Sequence, residues 1–367
     1  MRAKVSKKNI LPAIMRTVSI ADKKSVVPIL SHVLMDFNST GLVIKATDLD
    51  HSIVEKIPAE VDTYGVVAVP SGTLCDILRK VPDNVMIEFS LLEKGEKLQV
   101  VAGRSKFELS TLNSEDFPAI SALENTCHFK IKVSELNKLI TRTKFSISPE
   151  ENRHNLNGIY LHKEDDRLKA ASTDGHRLSV SSIPLAAKES IQGVIISKKT
   201  VLEIKKLLDV ADGNVVLTIT ANQIQFELGD ILFIAKLVDG NFPDYKRVIP
   251  STDTEFFVVK RTDFVEVVDR VSVISEEKGR SVKLEASKGS LSCSVVNSRF
   301  GNGKDEVDIK YEGFSWVAGF NSSYLLDVAQ TLQGENLKVY IKDSFSSILI
   351  EDESEPESLY VVMPMRI

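Results

Sequence analysis

The chain has 367 residues, 43% apolar and 26% charged, with a formal net charge of −5, an ordinary globular composition that suggests two or three domains, each with its own core. No apolar run reaches the length of a membrane span and no signal-peptide stretch follows Met1, so a cytoplasmic protein is expected. Cys75, Cys127 and Cys293 stand far apart without a Cys-x-x-Cys, which points to buried free thiols and away from disulfides or zinc.

In chain order, Val5-Ser6-Lys7-Lys8-Asn9 opens a predicted helix over 5–18, with an apolar stripe at Ile10, Ile14 and Val18. A strand over 42–48 follows, then Val69-Pro70-Ser71 opening a helix over 71–80. Alternating, β-branched strands come next at 85–91, 98–102 and 107–111, closed by Asn113-Ser114-Glu115-Asp116-Phe117-Pro118. The same rhythm returns: Val133-Ser134-Glu135-Leu136-Asn137 opens a helix over 134–145, and a strand covers 168–174. Ile195-Ile196-Ser197 then opens a helix over 197–208, and a strand at 231–237 runs into Asp239-Gly240-Asn241-Phe242-Pro243. A third pass begins at Val259-Lys260-Arg261-Thr262-Asp263, with a helix over 260–273, a looser strand at 291–297, and Gly319-Phe320-Asn321 opening a helix over 321–332. Ser and Asn at these openings are suited to accept the free amides of a first helical turn.

The echo has a period of about 125 residues, too long for a solenoid repeat and the mark of domain triplication. The expected domains are 1–120, 121–250 and 251–367, each α+β with two helices packed on antiparallel sheets.

Charge is segregated. The predicted helices hold +3, +1, +2, +3, 0 and −1, a total of +8 that leaves −13 elsewhere. If the repeats surround an axis, their helix faces share one basic surface, suited to phosphates without reading sequence. The helices carry few aromatics besides Phe264 and Tyr324, which favours duplex over stacked single strands.

Catalytic signatures are missing: there is no Walker loop, no Gly-x-Gly-x-x-Gly before a helix (Gly301-Asn302-Gly303 reads as a loop) and no His-Glu-x-x-His. The six histidines show no metal-ligand spacing. Thr173-Asp174-Gly175-His176-Arg177 is the best enzymatic candidate, a metal-free hydrolase using Asp174 and His176. Its echo, Thr47-Asp48-Leu49-Asp50-His51, argues instead for a structural turn. A protein-interaction scaffold without a DNA role is the other alternative.

Three segments carry a resemblance: residues 171–178 (Ala-Ser-Thr-Asp-Gly-His-Arg-Leu), 236–245 (Lys-Leu-Val-Asp-Gly-Asn-Phe-Pro-Asp-Tyr) and 360–367 (Tyr-Val-Val-Met-Pro-Met-Arg-Ile). On these the chain resembles, along its whole length, the β subunit of bacterial DNA polymerase III, the sliding clamps. The resemblance implies three similar domains per chain, a head-to-tail homodimer of six domains closed as a ring around duplex DNA, no catalysis and no cofactor or metal. It implies tethering of replicative and repair polymerases through a short clamp-binding peptide, and loading by a separate ATP-driven clamp loader, with no membrane partner.

By matching position, the peptide cleft between the second and third domains is formed by Leu156, Thr173, Gly175, His176, Arg177 and Leu178. Pro243, Arg247, Val248, Asn321, Tyr324, Phe345 and Ser347 join them, with Val361, Val362, Met363, Pro364, Met365 and Arg366 from the C-terminus. His176, Arg177 and Arg247 are expected to hold polar groups of the peptide at the rim. Gly279 replaces an aromatic usual in the family. DNA-facing residues are Lys24, Arg79, Arg153, Lys198, Lys199 and Lys205. The subunit joint is expected to pair the strand at 104–109 (Arg104, Lys106, Phe107, Leu109) with an edge near Val273, Ile274 and residues 298–306.

Overall fold

The computed structural model describes all residues except 23–24, 93–95, 122, 124–126, 186–192, 276–279 and 367, and the Cys127 side chain. Lys24 and Gly279 therefore lie outside the described residues. Six α-helices occur among the described residues: α1 Lys7–Ile20, α2 Ser71–Lys80, α3 Val133–Thr143, α4 Lys198–Leu208, α5 Arg261–Ser272 and α6 Ser322–Thr331. No described helix is long and apolar enough to cross a membrane. The chain forms two compact units, Met1–Val133 with Lys206–Leu237, and Ser134–Lys205 with Val238–Ile367.

In the first unit an eight-stranded antiparallel sheet runs Cys127–Lys132, Asn214–Ile219, Gln223–Leu228, Ile231–Val238, His51–Ile57, Gly41–Thr47, His32–Asn38, Gly65–Pro70. A second sheet runs Glu60–Thr63, Arg2–Ser6, Met86–Leu91, Lys97–Ala102, Ser105–Ser110. The core joins Ile10 and Ile14 of α1 and Leu74 and Leu78 of α2 to Phe37 and Phe89 of the two sheets. Period-four spacing puts one apolar face of α1 inward, and period-two alternation does the same for the strands.

The second unit repeats the plan. Its eight-stranded sheet runs Val194–Ser197, Gly158–Glu164, Arg167–Thr173, Arg177–Pro184, Ser358–Val362, Ile348–Glu351, Asn336–Ile341, Glu255–Lys260. A four-stranded sheet runs Trp316–Asn321, Ser281–Ser287, Ser290–Asn297, Gly301–Lys310. The α5 side chains Phe264, Val267, Val268 and Val271 pack with Leu325, Val328 and Ala329 of α6 over Cys293, Phe320 and Tyr360. Cys75 and Cys293 are buried.

Each long sheet is continuous across a boundary between sequence repeats. Residues Ile231 to Ala235 pair with Glu55 to His51, and Arg177 to Ser181 pair with Val362 to Ser358.

Two of the three expected caps are present. The Asn321 side chain accepts the Ser323 amide at 2.9 Å, and Ser197 Oγ accepts the Thr200 amide at 3.2 Å. Ser71 is instead the first residue of α2, and its hydroxyl donates to the Ser31 carbonyl at 2.9 Å. Gly301-Asn302-Gly303, expected as a loop, starts the strand Gly301–Lys310, because Asn302 and Gly303 find backbone partners in Val296 and Val295.

Candidate functional site

The segment Thr173 to Arg177 turns sharply between two paired strands. Asp174 Oδ1 accepts the amides of His176 and Arg177 at 2.9 and 3.0 Å, and Thr173 Oγ1 donates to the Arg177 carbonyl at 2.7 Å. Gly175 has φ +90°, a left-handed conformation that costs glycine little. The echo at Thr47 has the same bonds: Asp48 Oδ1 accepts the Asp50 and His51 amides at 2.9 and 2.6 Å, and Thr47 Oγ1 donates to the His51 carbonyl at 2.9 Å. Asp174 is a turn-former, and its other oxygen takes Arg177 Nε at 3.0 Å. His176 meets Asp174 through its backbone amide and has an exposed side chain, so the hydrolase pairing of Asp174 with His176 is not formed.

Arg177 is not a rim donor. Besides Asp174, Nη1 donates to Asp327 Oδ2 of α6 at 2.5 Å and Nη2 to the Phe145 carbonyl at 2.5 Å. The guanidinium carbon lies 4.3 Å from the Tyr324 ring centroid and 5.4 Å from that of Phe145. With its side chain only 11% exposed, Arg177 is an internal strut joining the turn, the segment after α3, and α6.

The C-terminal strand docks on this turn. Leu178 pairs with Val361 and Arg177 with Val362, the Met363 amide donates to the His176 carbonyl at 2.9 Å, and the Met365 amide donates to the Gly319 carbonyl at 2.8 Å. Leu178 and Val361 are buried with Val180, Tyr245, Tyr340 and Leu349. Val362 belongs to the core beneath α5 and α6, whereas Met363 and Met365 present apolar, adaptable side chains to solvent. Pro364 is half-buried and Arg366 exposed.

The remaining expected cleft residues sit on loops and turns of the second unit. Leu156 is half-buried in the 3-10 turn His154–Leu156, its carbonyl accepting the Ser148 amide at 3.1 Å. Pro243, Arg247 and Val248 are exposed on the linker, where Arg247 Nε donates to Asp244 Oδ2 at 2.7 Å. Phe345, 89% exposed, and half-buried Ser347 lie on the loop before the strand Ile348–Glu351.

An aromatic stack that the sequence reading missed holds the linker. Phe242 lies parallel to Tyr160 with centroids 5.1 Å apart, Tyr160 stacks on His162 at 4.6 Å, and the Tyr245 hydroxyl is 3.2 Å from His162 Nε2. Tyr160 and His162 alternate on one strand and so share a face. That alternation, beside Phe242-Pro243-Asp244-Tyr245, was the available signal. Burial lowers His162 to about 4 and raises Tyr245 to about 12. Hydrogen bonds from Lys169 and Lys246 bring Glu164 down to about 2.

The expected DNA-facing cations lie on separate elements of the two units. Arg79, at the end of α2, lies 4.0 Å from Asp76, and Arg153 Nε donates to Glu150 Oε2 at 2.9 Å. Lys198 and Lys205 are half-buried and Lys199 exposed on α4. The helix charges are less available than their count suggests. Lys7 is buried, donating to the Val81 carbonyl at 2.6 Å and to Asp83 at 2.8 Å. Arg16 forks onto Glu55 and Arg142 is buried against Glu355 and Glu357.

Of the expected joint residues, Phe107 and Leu109 pack against the core of the first unit, with Arg104 and Lys106 exposed. Their strand, Ser105–Ser110, ends its sheet. In the second unit Val273 is 81% exposed, whereas Ile274 packs partly against the core.

Three models of DNA polymerase III beta subunit domains match the chain: N-terminal over 1–121, central over 130–244 and C-terminal over 246–366. A beta sliding clamp of Caulobacter vibrioides (strain NA1000 / CB15N) is 35% identical over 372 residues, covering 100% of both chains. The beta sliding clamp of Escherichia coli (strain K12) is 33% identical over 368 residues, again covering 100% of both. Among solved structures, the C. crescentus beta sliding clamp superposes with TM-score 0.96 at 35% identity, covering 100% of this chain and 99% of that one. A Bartonella birtlesii sliding clamp bound to griselimycin gives 0.95 at 38% identity, with 100% of both covered.

The helices and antiparallel sheets are those of an α+β clamp fold. The chain belongs to the DNA polymerase III beta subunit family. It is a DNA sliding clamp, a non-catalytic replication processivity factor that works with DNA and polymerase.

Proposed function

We propose that the chain works in the cytoplasm as half of a ring. Three clamp domains, 1–120, 121–250 and 251–367, are joined head to tail with those of a second copy around duplex DNA. The reading of the joint is supported by two unfinished sheet edges. Ser105–Ser110 pairs only with Lys97–Ala102, and residues 301–308 pair only with Ser290–Asn297, among the described residues. Open edges invite a further strand.

The peptide site lies at the seam between Arg177–Pro184 and the C-terminal strand. The observation that carries it is the Met363 amide bonded to the His176 carbonyl at 2.9 Å. That bond sets exposed Met363 beside the turn that Arg177 ties to Tyr324. A short peptide from polymerases, the clamp loader or repair proteins inserts apolar side chains against Met363, Met365, Pro243 and Val248, and His176 meets its polar groups. Arg79, Arg153, Lys198, Lys199 and Lys205, with Lys24, contact phosphates without reading bases. Tethering raises the polymerase's effective concentration at the primer end.

Retention on DNA tests the reading. The protein is loaded by a clamp loader onto nicked circular duplex, the circle is cut, and release is followed at moderate salt. Retention on the circle with rapid loss from the cut ends is expected. Equal loss from both forms would overturn the sliding ring.

A further inference from the structure

In the second unit, strand Glu255–Lys260 meets strand Gly301–Lys310 over two residue pairs, Val258 with Lys310 and Val259 with Ile309. Beyond them the strands part, and Glu255 and Phe256 pair only with Asn336–Ile341 among the described residues. Two grooves open at this fork. One, of about 890 Å³, is lined by Phe256, Lys310, Glu312 and Gly313. The other, of about 590 Å³, runs between residues 314–317 and 341–344. Asp253, Thr254, Glu255 and Tyr311 belong to both. The second groove also adjoins the expected peptide cleft, because Phe345 follows directly on its wall residue Ser344. Trp316 Nε1 donates to the Asp343 carbonyl at 3.1 Å, and Asp343 Oδ1 accepts the Phe345 and Ser346 amides at 2.8 Å, so this wall and the cleft loop are one fixed piece.

The shared floor is acidic and short of donors. Tyr311 Oη lies 2.7 Å from Glu255 Oε2 and 2.8 Å from the Phe314 carbonyl, and its single proton serves only one of these acceptors at a time. Burial and the hydrogen bond to Glu255 push Tyr311 up to about 12, so the phenol keeps that proton. A side chain at Gly313 would collide with the Glu255 carboxylate and the Tyr311 hydroxyl, so the bare glycine leaves both their place. Asp253 and Glu255 have hydroxyl partners, Ser251 and Tyr311, but no ion pair among the described residues. The surrounding cations divide between the grooves. Lys288 lies 2.8 Å from Glu312, Lys338 Nζ stands 4.1 Å from the Phe256 centroid, and Lys310 lines the first groove only. Lys342 lines the second, beside Asp343, whose carboxyl Ser346 chiefly holds below its ordinary range. The second groove therefore keeps two carboxylates open to a cation, beneath the Phe314 ring, which is 87% exposed.

We propose that the second groove receives an arginine from the segment adjoining a partner's clamp-binding peptide. The guanidinium donates to Glu255, Asp253 and the Phe314 carbonyl and lies against the Phe314 ring. The proposal rests on the peptide-site reading above and adds a second contact, outside the cleft, that ranks partners by their flanking sequence. Arginine fits better than lysine, because a planar fork with five N–H groups serves several acceptors at once while its face stacks on an aromatic ring. A peptide flank is the occupant because the groove is open along its length and continues from the loop that carries Phe345.

The test is fluorescence anisotropy of the full chain with labelled synthetic peptides. These are the clamp-binding segment of a replicative polymerase alone, the same segment with a short flank carrying one arginine before or after it, and each flanked form with glutamine in place of the arginine. In one of the two placements the arginine is expected to tighten binding about fivefold or more over glutamine, a gain that shrinks at high salt. The gain should vanish in the double variant Asp253→Asn, Glu255→Gln and fall in Phe314→Ser, with the affinity for the unflanked segment unchanged in both. A gain below about twofold in both placements, or one that survives the double variant, overturns the arginine site while leaving the cleft intact. A change of self-association in Phe314→Ser without a change in peptide affinity assigns the groove to a second copy and likewise overturns it. An unflanked segment that does not bind overturns the peptide-site reading and this inference with it.

Discussion

Arg177 lays its guanidinium over the Tyr324 ring, 4.3 Å from carbon to centroid, and so ties a turn between two strands to helix α6. Lysine cannot reproduce the fork that also reaches Asp174, Asp327 and the Phe145 carbonyl. Arg177→Lys is expected to cost about 2–4 kcal/mol in urea unfolding, the scale for breaking a largely buried, hydrogen-bonded charge. The same variant should weaken peptide binding under conditions where it remains folded, measured by fluorescence anisotropy.

Glu355 makes a comparable contact in the second unit. It is 7% exposed by side chain, and the 4%-exposed Arg142 lies against it. Glu355→Gln keeps the shape and removes the charge, leaving the buried Arg142 with only partly exposed Glu357, 3.5 Å away. The expected loss of stability is about 3 kcal/mol, from chemical denaturation at neutral pH.

Acid should loosen the linker in two separable stages. His162 is held near 4, below its ordinary 6.5, chiefly by burial. Between those values the unfolded chain binds the extra proton, so stability falls as pH drops from about 6.5 and levels off below about 4. Glu164 acts in the next window. Its pKa lies near 2 against an ordinary 4.5, so its contribution is present above 4.5 and lost as pH falls toward 2. His162→Phe retains the ring stacking on Tyr160, and melting temperatures from pH 7 to 4 should then show a shallower decline. An unchanged slope would rule out His162 as the titrating group.

The basic helix residues divide into two kinds. Lys199→Ala and Lys205→Ala should each make the salt dependence of DNA binding shallower by about one unit of logarithmic slope, if each contacts a phosphate. Lys7→Ala should leave that slope unchanged. It should cost about 1–3 kcal/mol in stability, because the buried Val81 carbonyl loses its donor. Titration of DNA affinity against salt, with a denaturation curve for each variant, separates the two.

Much of this architecture was readable before any coordinates. The triple echo gave the order of helices and strands, because period-four and period-two apolar spacing are local properties of the chain. The paired turns at Thr47 and Thr173 were readable as well, since the Thr-Asp pair that opens each supplies side-chain oxygens for amides two and three residues on, although only the second has a glycine at its positive-φ position, where the first has Leu49. What escaped depended on distant partners. Lys7 resembles a solvated helix charge until Val81 and Asp83 are seen beside it. Arg177 resembles a rim donor until Asp327, 150 residues away, takes its Nη1. Gly301 to Gly303 lack strand-forming side chains and become a strand only through the backbone of Ser290–Asn297. The cleft residues came from resemblance, and the Met363–His176 bond that joins two of them depends on a pairing between residues far apart in sequence.

The continuous sheets have a mechanical consequence. At each repeat boundary five successive residue pairs cross from one repeat to the next, Ile231 to Ala235 with Glu55 to His51 and Arg177 to Ser181 with Val362 to Ser358. Flexing the chain there means tearing a ladder of backbone bonds whose groups water reaches poorly. A force applied to either unit is therefore taken up by its loops before these ladders part.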